Sequence, residues 1–363
     1  MTYRVIQWAT GYTARLGVQA LAERPDYALV GAFVYTPEKA GRDLGDLCGT
    51  RTLGVRTTAD RAAILATRAD CVLFMGGAEN DVPRAIDDIC ALLASGKNVV
   101  TTSANFIYPR SLGAAVEKRF QDACSAGHAT FHGLGVMPGF VPESVALTLT
   151  RLSRRIDRLV ASEVMRYDTY PSRFQMFELM GFGYLPDDPR PAFSNPELVG
   201  ETWRHSAMLI ADTAGLRYER IECFRNVELA TRDLQVAAGL IPKGTVGAMN
   251  FGVRVIAQGE PRIVMQHYTR MDADLAPHWP GAEGWQLLIE GAPSIAARIE
   301  IGIHGEVHTE QGCLATAMHA IHAVPYVIAA APGILTLAEV PPVWGCEAFA
   351  YGGARATSTR ASL

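Results

Sequence analysis

The chain has 363 residues, of which 49% are hydrophobic and 19% charged, and its formal net charge is −4. That length accommodates two separate cores, and the composition is that of an ordinary globular protein. The lack of any basic run excludes a nucleic-acid footprint, and no apolar stretch reads as the roughly 18–20 residues that span a bilayer.

The first apolar run, Tyr3–Trp8, predicts a strand that ends in the small-residue turn Ala9-Thr10-Gly11-Tyr12-Thr13-Ala14, and a helical pattern over 13–23 starts at once. The spacing Ala9-x-Gly11-x-x-Ala14 follows the G-x-G-x-x-G/A dinucleotide fingerprint, in which a pyrophosphate rests on free N–H groups at a helix N-terminus. Gly11 stands where any side chain would block that approach, and Ala9 and Ala14 are small enough for the turn and for close helix–strand packing. The near-continuous apolar run Tyr27–Tyr35 predicts a strand buried on both faces, and 70–75 and 98–102 repeat it. Helical patterns at 58–66, 82–95 and 111–126 lie between them, with Gly96 and Gly127 as C-terminal punctuation. Strands alternating with helices imply an α/β domain, a doubly wound parallel sheet over about 1–140.

The Gly/Pro-rich crossing 133–142 reads as a hinge. Beyond it a helix at 143–153, a strand at 157–167, and helices at 172–184 and 196–213 are expected. Strands follow at 217–230, 246–258, 262–271, 284–291 and 295–303, with Gln258-Gly259 as a hairpin turn. These describe an α+β second domain over 141–312 with a mainly antiparallel open sheet. A helix at 313–323 and the apolar segment 324–334 close the fold, and the C-terminal part from about 313 is expected to pack back on the first domain.

Ligands of open α/β sheets lie outside the carboxyl ends of the strands. The second strand ends at Thr36 without the carboxylate that would bond an NAD ribose, and Lys39 and Arg42 follow. A hydroxyl and two cations suit a 2′-phosphate, which points to NADP(H), with NAD(H) as the other possibility. Gly76 and Gly77 after the fourth strand and Thr102 after the fifth would border the nicotinamide.

Several segments in order resemble one family: the N-terminal unit, Gly41–Gly49, Gly96–Thr102, Gly135–Phe140, Thr316–Pro325 and Ala331–Ile334. They are similar to the dihydrodipicolinate-reductase-like proteins, which include 2,4-diaminopentanoate dehydrogenase and the native amine dehydrogenases. The resemblance implies a Rossmann domain, an open antiparallel sheet, a homodimer, and hydride transfer between NAD(P)H and an imine or amine carbon. It also implies a Glu a few residues before a Tyr-Pro pair, where this chain has Asn105 before Tyr108-Pro109. A neutral amide does not titrate, although it still orients a polar atom by hydrogen bonding. The resemblance therefore carries hydride transfer, as in imine or ketone reduction, further than ammonia-dependent amination.

Tyr167, Tyr170 and His267 are the candidate proton donors, each set against a packing role. Glu178 is an alternative acid if buried, and otherwise a solvated charge. The apolar residues of 174–184 read as pocket or core. His304, His308, His319 and His322 lack the spacing of a metal site, and no metal is expected. Seven cysteines without a CxxC pair read as reduced thiols, and the start of the chain lacks a signal-peptide layout, so a cytoplasmic protein is expected. The rival to an enzyme acting on a fairly bulky, mostly apolar substrate is a non-catalytic NADP(H)-binding sensor.

Overall fold

The structure is a computed structural model that describes residues 2–76, 81–346 and 348, with only the backbone of Thr202. The first domain runs β1 (Tyr3–Trp8), α1 (Tyr12–Ala22), β2 (Tyr27–Phe33), α2 (Leu44–Cys48), β3 (Thr57–Thr58), α3 (Arg61–Ala66), β4 (Cys71–Phe74), α4 (Val82–Ala94), β5 (Asn98–Thr101), α5 (Ala114–Gly127) and β6 (Thr130–Gly133). The second runs α6 (Ala146–Thr150), β7 (Arg155–Arg166), α7 (Pro196–Thr213), β8 (Arg220–Leu229), β9 (Leu234–Val236), β10 (Gly239–Ile241), β11 (Val246–Ala257), β12 (Glu260–Arg270), β13 (Gly284–Ala292) and β14 (Ile295–Ile299). The helix α8 (His308–Ala329) and β15 (Gly333–Ile334) follow.

The first sheet has the order β15-β6-β5-β4-β1-β2-β3, and its pairs are all parallel. Alternation along the strands fills both faces. Ile6, Trp8, Val72 and Phe74 meet α4 and α5, while Val5, Leu73 and Val100 meet α1 and α8. Strand order reverses between β1 and β4, so a crevice opens at their carboxyl ends. The second sheet has the order β14-β13-β7-β12-β11-β8; β7 and β12 are parallel and the other pairs antiparallel. Its inner face packs on α7 through Ala161, Met165, Trp203, Ile210 and Met265.

Several boundaries differ from expectation for local reasons. The helix expected at 58–66 starts at Arg61, because Thr57 and Thr58 pair with β2 and the Asp60 carboxylate caps the N–H groups of Ala62 and Ala63. The C-cap of α5 falls on His128, at φ 50°, and not on Gly127. Gly127 is required for another reason: a Cβ there would lie 1.8 Å from the Leu93 carbonyl oxygen, so α4 and α5 touch through it. The helix expected at 172–184 is one wide turn, Phe174–Leu179, ended by Gly181 at φ 90°. The stretch 300–307 is a loop and not the end of a strand, with Gly302 and Gly305 at positive φ. The β9–β10 hairpin was not expected.

The last helix is longer than 313–323. Pro325 lies inside it, and a proline there cannot donate to the carbonyl four residues back. That carbonyl, of Ile321, instead accepts a 2.8 Å hydrogen bond from the Tyr27 hydroxyl, so the helix continues to Ala329. By length and composition this 22-residue helix could cross a membrane, which revises the sequence reading that no stretch is long enough. It packs against α1 and β5 through Ala317, Ala320, Ile321 and Val324.

Candidate active site

The carboxyl edge of the first sheet carries the motif residues. Ala9 follows β1 at φ 71°, the left-handed value that the turn demands at its first position. Gly11 is the N-cap of α1 at φ −71°, and no side chain caps the helix. Its backbone needs no glycine, yet a Cβ there would meet nothing within 4 Å. Open space thus stands before the uncapped N–H groups of the first turn, as an anionic phosphate requires. Ala14 is fully buried beneath, and a Cβ on Gly76 would lie 3.0 Å from that of Ala9. Gly77 lies outside the described residues.

Beside this turn, Lys39 Nζ lies 3.4 Å from Thr10 Oγ1, and Thr36 is exposed three residues past the end of β2. Arg42 stands apart, in a surface crevice bordered by Asp43, Asp46 and Arg56. Thr102 follows β5, its N–H bonded to the Phe74 carbonyl. Asn105 is half-buried on the turn Ala104–Phe106, which packs against α7.

The start of α8 joins this edge to a cavity of about 390 Å³. Burial, with the charge of the facing Glu310 adding to it, raises the Tyr12 hydroxyl above the usual tyrosine range, while Thr13 faces Cys313. Cys313, Gly312 and Thr316 line the cavity with Tyr167, Tyr170, Phe251, His267 and Trp285. Asn105 does not line it. Met176 and Met180 do, whereas Phe177 and Phe182 are core and Phe174 is exposed. Glu178 is on the solvated face, 4.0 Å from Arg173. Burial drives the Tyr167 and Tyr170 hydroxyls upward, with the Glu163 charge adding at Tyr167.

Glu163 is the cavity residue that sequence reasoning missed. Register places it opposite His267 on β12 and Trp285 on β13. Its Oε2 lies 2.7 Å from His267 Nδ1, and its Oε1 accepts from Trp285 Nε1 at 2.9 Å. One signal could have found it. Residues 159, 161, 163, 165 and 167 share one strand face, and Leu159, Ala161, Met165 and Tyr167 there are apolar or aromatic, so an acid among them points inward. Among the described lining residues, Glu163 is the one with a formal charge, and no Lys or Arg accompanies it.

His308 Nδ1 lies 2.6 Å from the Ile301 carbonyl oxygen, and its ring packs against Trp285. His319 Nδ1 lies 2.8 Å from the Gly135 carbonyl oxygen, His322 lies beside Arg24, and His304 is on the exposed loop. Among the described residues no group of three or more His, Cys, Asp or Glu could hold a metal ion.

Residues 140–348 match the model of the 2,4-diaminopentanoate dehydrogenase C-terminal domain. The chain is 30% identical over 347 residues to the amine dehydrogenase of Streptomyces virginiae, covering 93% of this chain and 95% of that one. It is 20% identical over 277 residues to the 2,4-diaminopentanoate dehydrogenase of Acetoanaerobium sticklandii, covering 75% and 74%. In fold it resembles the amine dehydrogenase of Mycobacterium smegmatis, with a TM-score of 0.74 at 22% identity over 95% of this chain and 97% of that one. With a parallel dinucleotide-type sheet, a mixed second sheet and these relatives, the chain is an oxidoreductase that belongs to the amine dehydrogenase and 2,4-diaminopentanoate dehydrogenase family.

Proposed function

We propose that the protein is an NAD(P)H-dependent oxidoreductase that acts at a C=N or C=O carbon of a fairly bulky, mostly apolar substrate. The observation that carries this reading is an aromatic- and methionine-lined cavity that shares α8 with the phosphate-binding turn and holds one acid–histidine pair. The N–H groups following Gly11 would receive the pyrophosphate, and the open space there fits it. When bound, the nicotinamide supplies or accepts the hydride. The chain's own residues hold the dinucleotide, exclude water and position the substrate's polar atom. A substrate carboxylate would meet Glu163 and no cation, so neutral ketones, cyclic imines and amines are favoured over amino acids. By analogy with such two-domain proteins, the open sheet would carry a homodimer interface.

NADPH oxidation by ketones and cyclic imines, and NADP+ reduction by amines, each followed at the nicotinamide absorbance, test the reading. Turnover is expected on the uncharged, bulky members and none on their carboxylated analogues. Tight NADPH binding without turnover on any compound would favour the sensor instead.

The position of Lys39 beside Thr10 supports NADP(H) preference. Lys39→Ala should lower kcat/KM for NADPH about tenfold, the worth of one charge-assisted hydrogen bond, and leave that for NADH unchanged. Equal losses with both cofactors would remove Lys39 from 2′-phosphate recognition.

A further inference from the structure

His267 is 3% exposed and lines the cavity. Its ring stacks on Tyr167 at 5.8 Å between centroids, with Phe251 at 5.0 Å and the edge of Trp203 at 6.2 Å, so its orientation is fixed. A carboxylate only accepts, so the 2.7 Å contact to Glu163 places the imidazole proton on Nδ1. Glu163 is itself held by Trp285 Nε1. In the neutral imidazole the other ring nitrogen, Nε2, then carries a lone pair, and it is buried with no hydrogen-bond partner among the described residues. A buried bare acceptor on a residue that lines an apolar cavity is unfavourable unless what enters the cavity donates to it.

We propose that His267 Nε2 exchanges the proton of the reacting amine or alcohol group, and that Glu163 is the positioning residue that keeps Nε2 free to accept it. This rests on the hydride-transfer reading. In the oxidative direction hydride leaves the carbon for the oxidised nicotinamide, and the N–H or O–H bond breaks. Its electron pair becomes the second bond of C=N or C=O, and the proton bonds to Nε2. Reduction runs in reverse from the imidazolium. The other titratable groups at the cavity, Tyr167, Tyr170 and Cys313, are all pushed by burial towards holding their protons. Substrates must therefore carry N–H or O–H on the reacting carbon, and tertiary amines and ethers are not oxidised.

The test uses the holoenzyme with NADPH. ¹⁵N NMR of the His267 ring should show Nδ1–H with a bare Nε2 in the wild type. In Glu163→Gln the amide still accepts from Trp285 but donates to Nδ1, which moves the proton to Nε2. The same variant should lose at least about 100-fold in kcat, as expected for removal of a general base, with KM and NADPH affinity within about twofold. His267→Asn should lose a similar factor, and the two losses should not multiply in the double variant. An Nε2–H tautomer in the wild type, or kcat retained in either variant, would overturn the assignment. The wild-type tautomer needs no variant and stands if either fails to fold. Absence of wild-type turnover on every compound overturns the hydride reading and this proposal with it, whereas turnover with the wrong tautomer overturns this proposal alone.

Discussion

Gly11→Val is expected to weaken NADPH binding by about 100-fold or more while leaving the melting temperature almost unchanged. The two effects separate because Gly11 has an ordinary negative φ and open space where a Cβ would stand. Valine thus meets no protein atom there at its Cβ and gives up only the modest advantage of glycine at an N-cap. Its branches instead fill the volume before the uncapped N–H groups. Loss of two charge-assisted hydrogen bonds to phosphate, at about 1.5 kcal/mol or more each, corresponds to that factor. Titration calorimetry with NADPH and a thermal melt decide it. A variant that melts normally and binds NADPH as the wild type does would show that the pyrophosphate lies elsewhere.

The second large effect concerns Glu143, which is completely buried where the inter-domain crossing becomes helical. One carboxyl oxygen, Oε2, accepts from the Gly139 N–H at 2.9 Å, and the other has no partner among the described residues. Burial pushes its pKa up to about 8, only partly offset by backbone hydrogen bonds. The folded protein therefore keeps a proton that the unfolded chain, with an ordinary carboxyl near 4.5, has released. Stability from this group is whole below the unfolded value and falls as pH rises to about 8, by about 1.4 kcal/mol per pH unit while the two states differ. His132 and His205 act in the opposite sense. Burial lowers both to about 4, so their contribution falls as pH drops below the usual histidine range. Denaturant unfolding of wild type and Glu143→Gln at pH 5 and pH 8 isolates the carboxyl. The variant should gain several kcal/mol relative to wild type between the two, and a constant difference would show that Glu143 ionises normally in the fold.

How much the sequence discloses depends on how local the deciding contact is. The first strand–turn–helix unit is legible because its parts are contiguous, and Lys39 reaches Thr10 across only 29 positions. Arg42, three residues further on, goes to a different crevice, which residue type alone does not decide. His267 is visible as a lone histidine on a strand. Its partner Glu163 stands 104 positions away and is brought alongside only by the parallel pairing of β7 with β12. Fixing that register needs the whole second sheet. The Met and Phe residues of 174–184 divide between cavity and core because a wide turn, and not a regular helix, sets their directions. Asn105 is legible as a polar residue on the turn after β5, but that it stands outside the cavity lining is not.

The Tyr27 hydroxyl that takes up the Ile321 carbonyl has a consequence for which substitutions the chain tolerates. Positions 27 and 325 form one unit although they stand 298 positions apart. With proline at 325, a phenylalanine at 27 strands a carbonyl inside the helix that flanks the cavity. With any residue at 325 that has its own N–H, the hydroxyl becomes dispensable. A chain drifting through sequence space could therefore exchange Pro325 first and Tyr27 afterwards, but not in the reverse order without passing through a weakened protein.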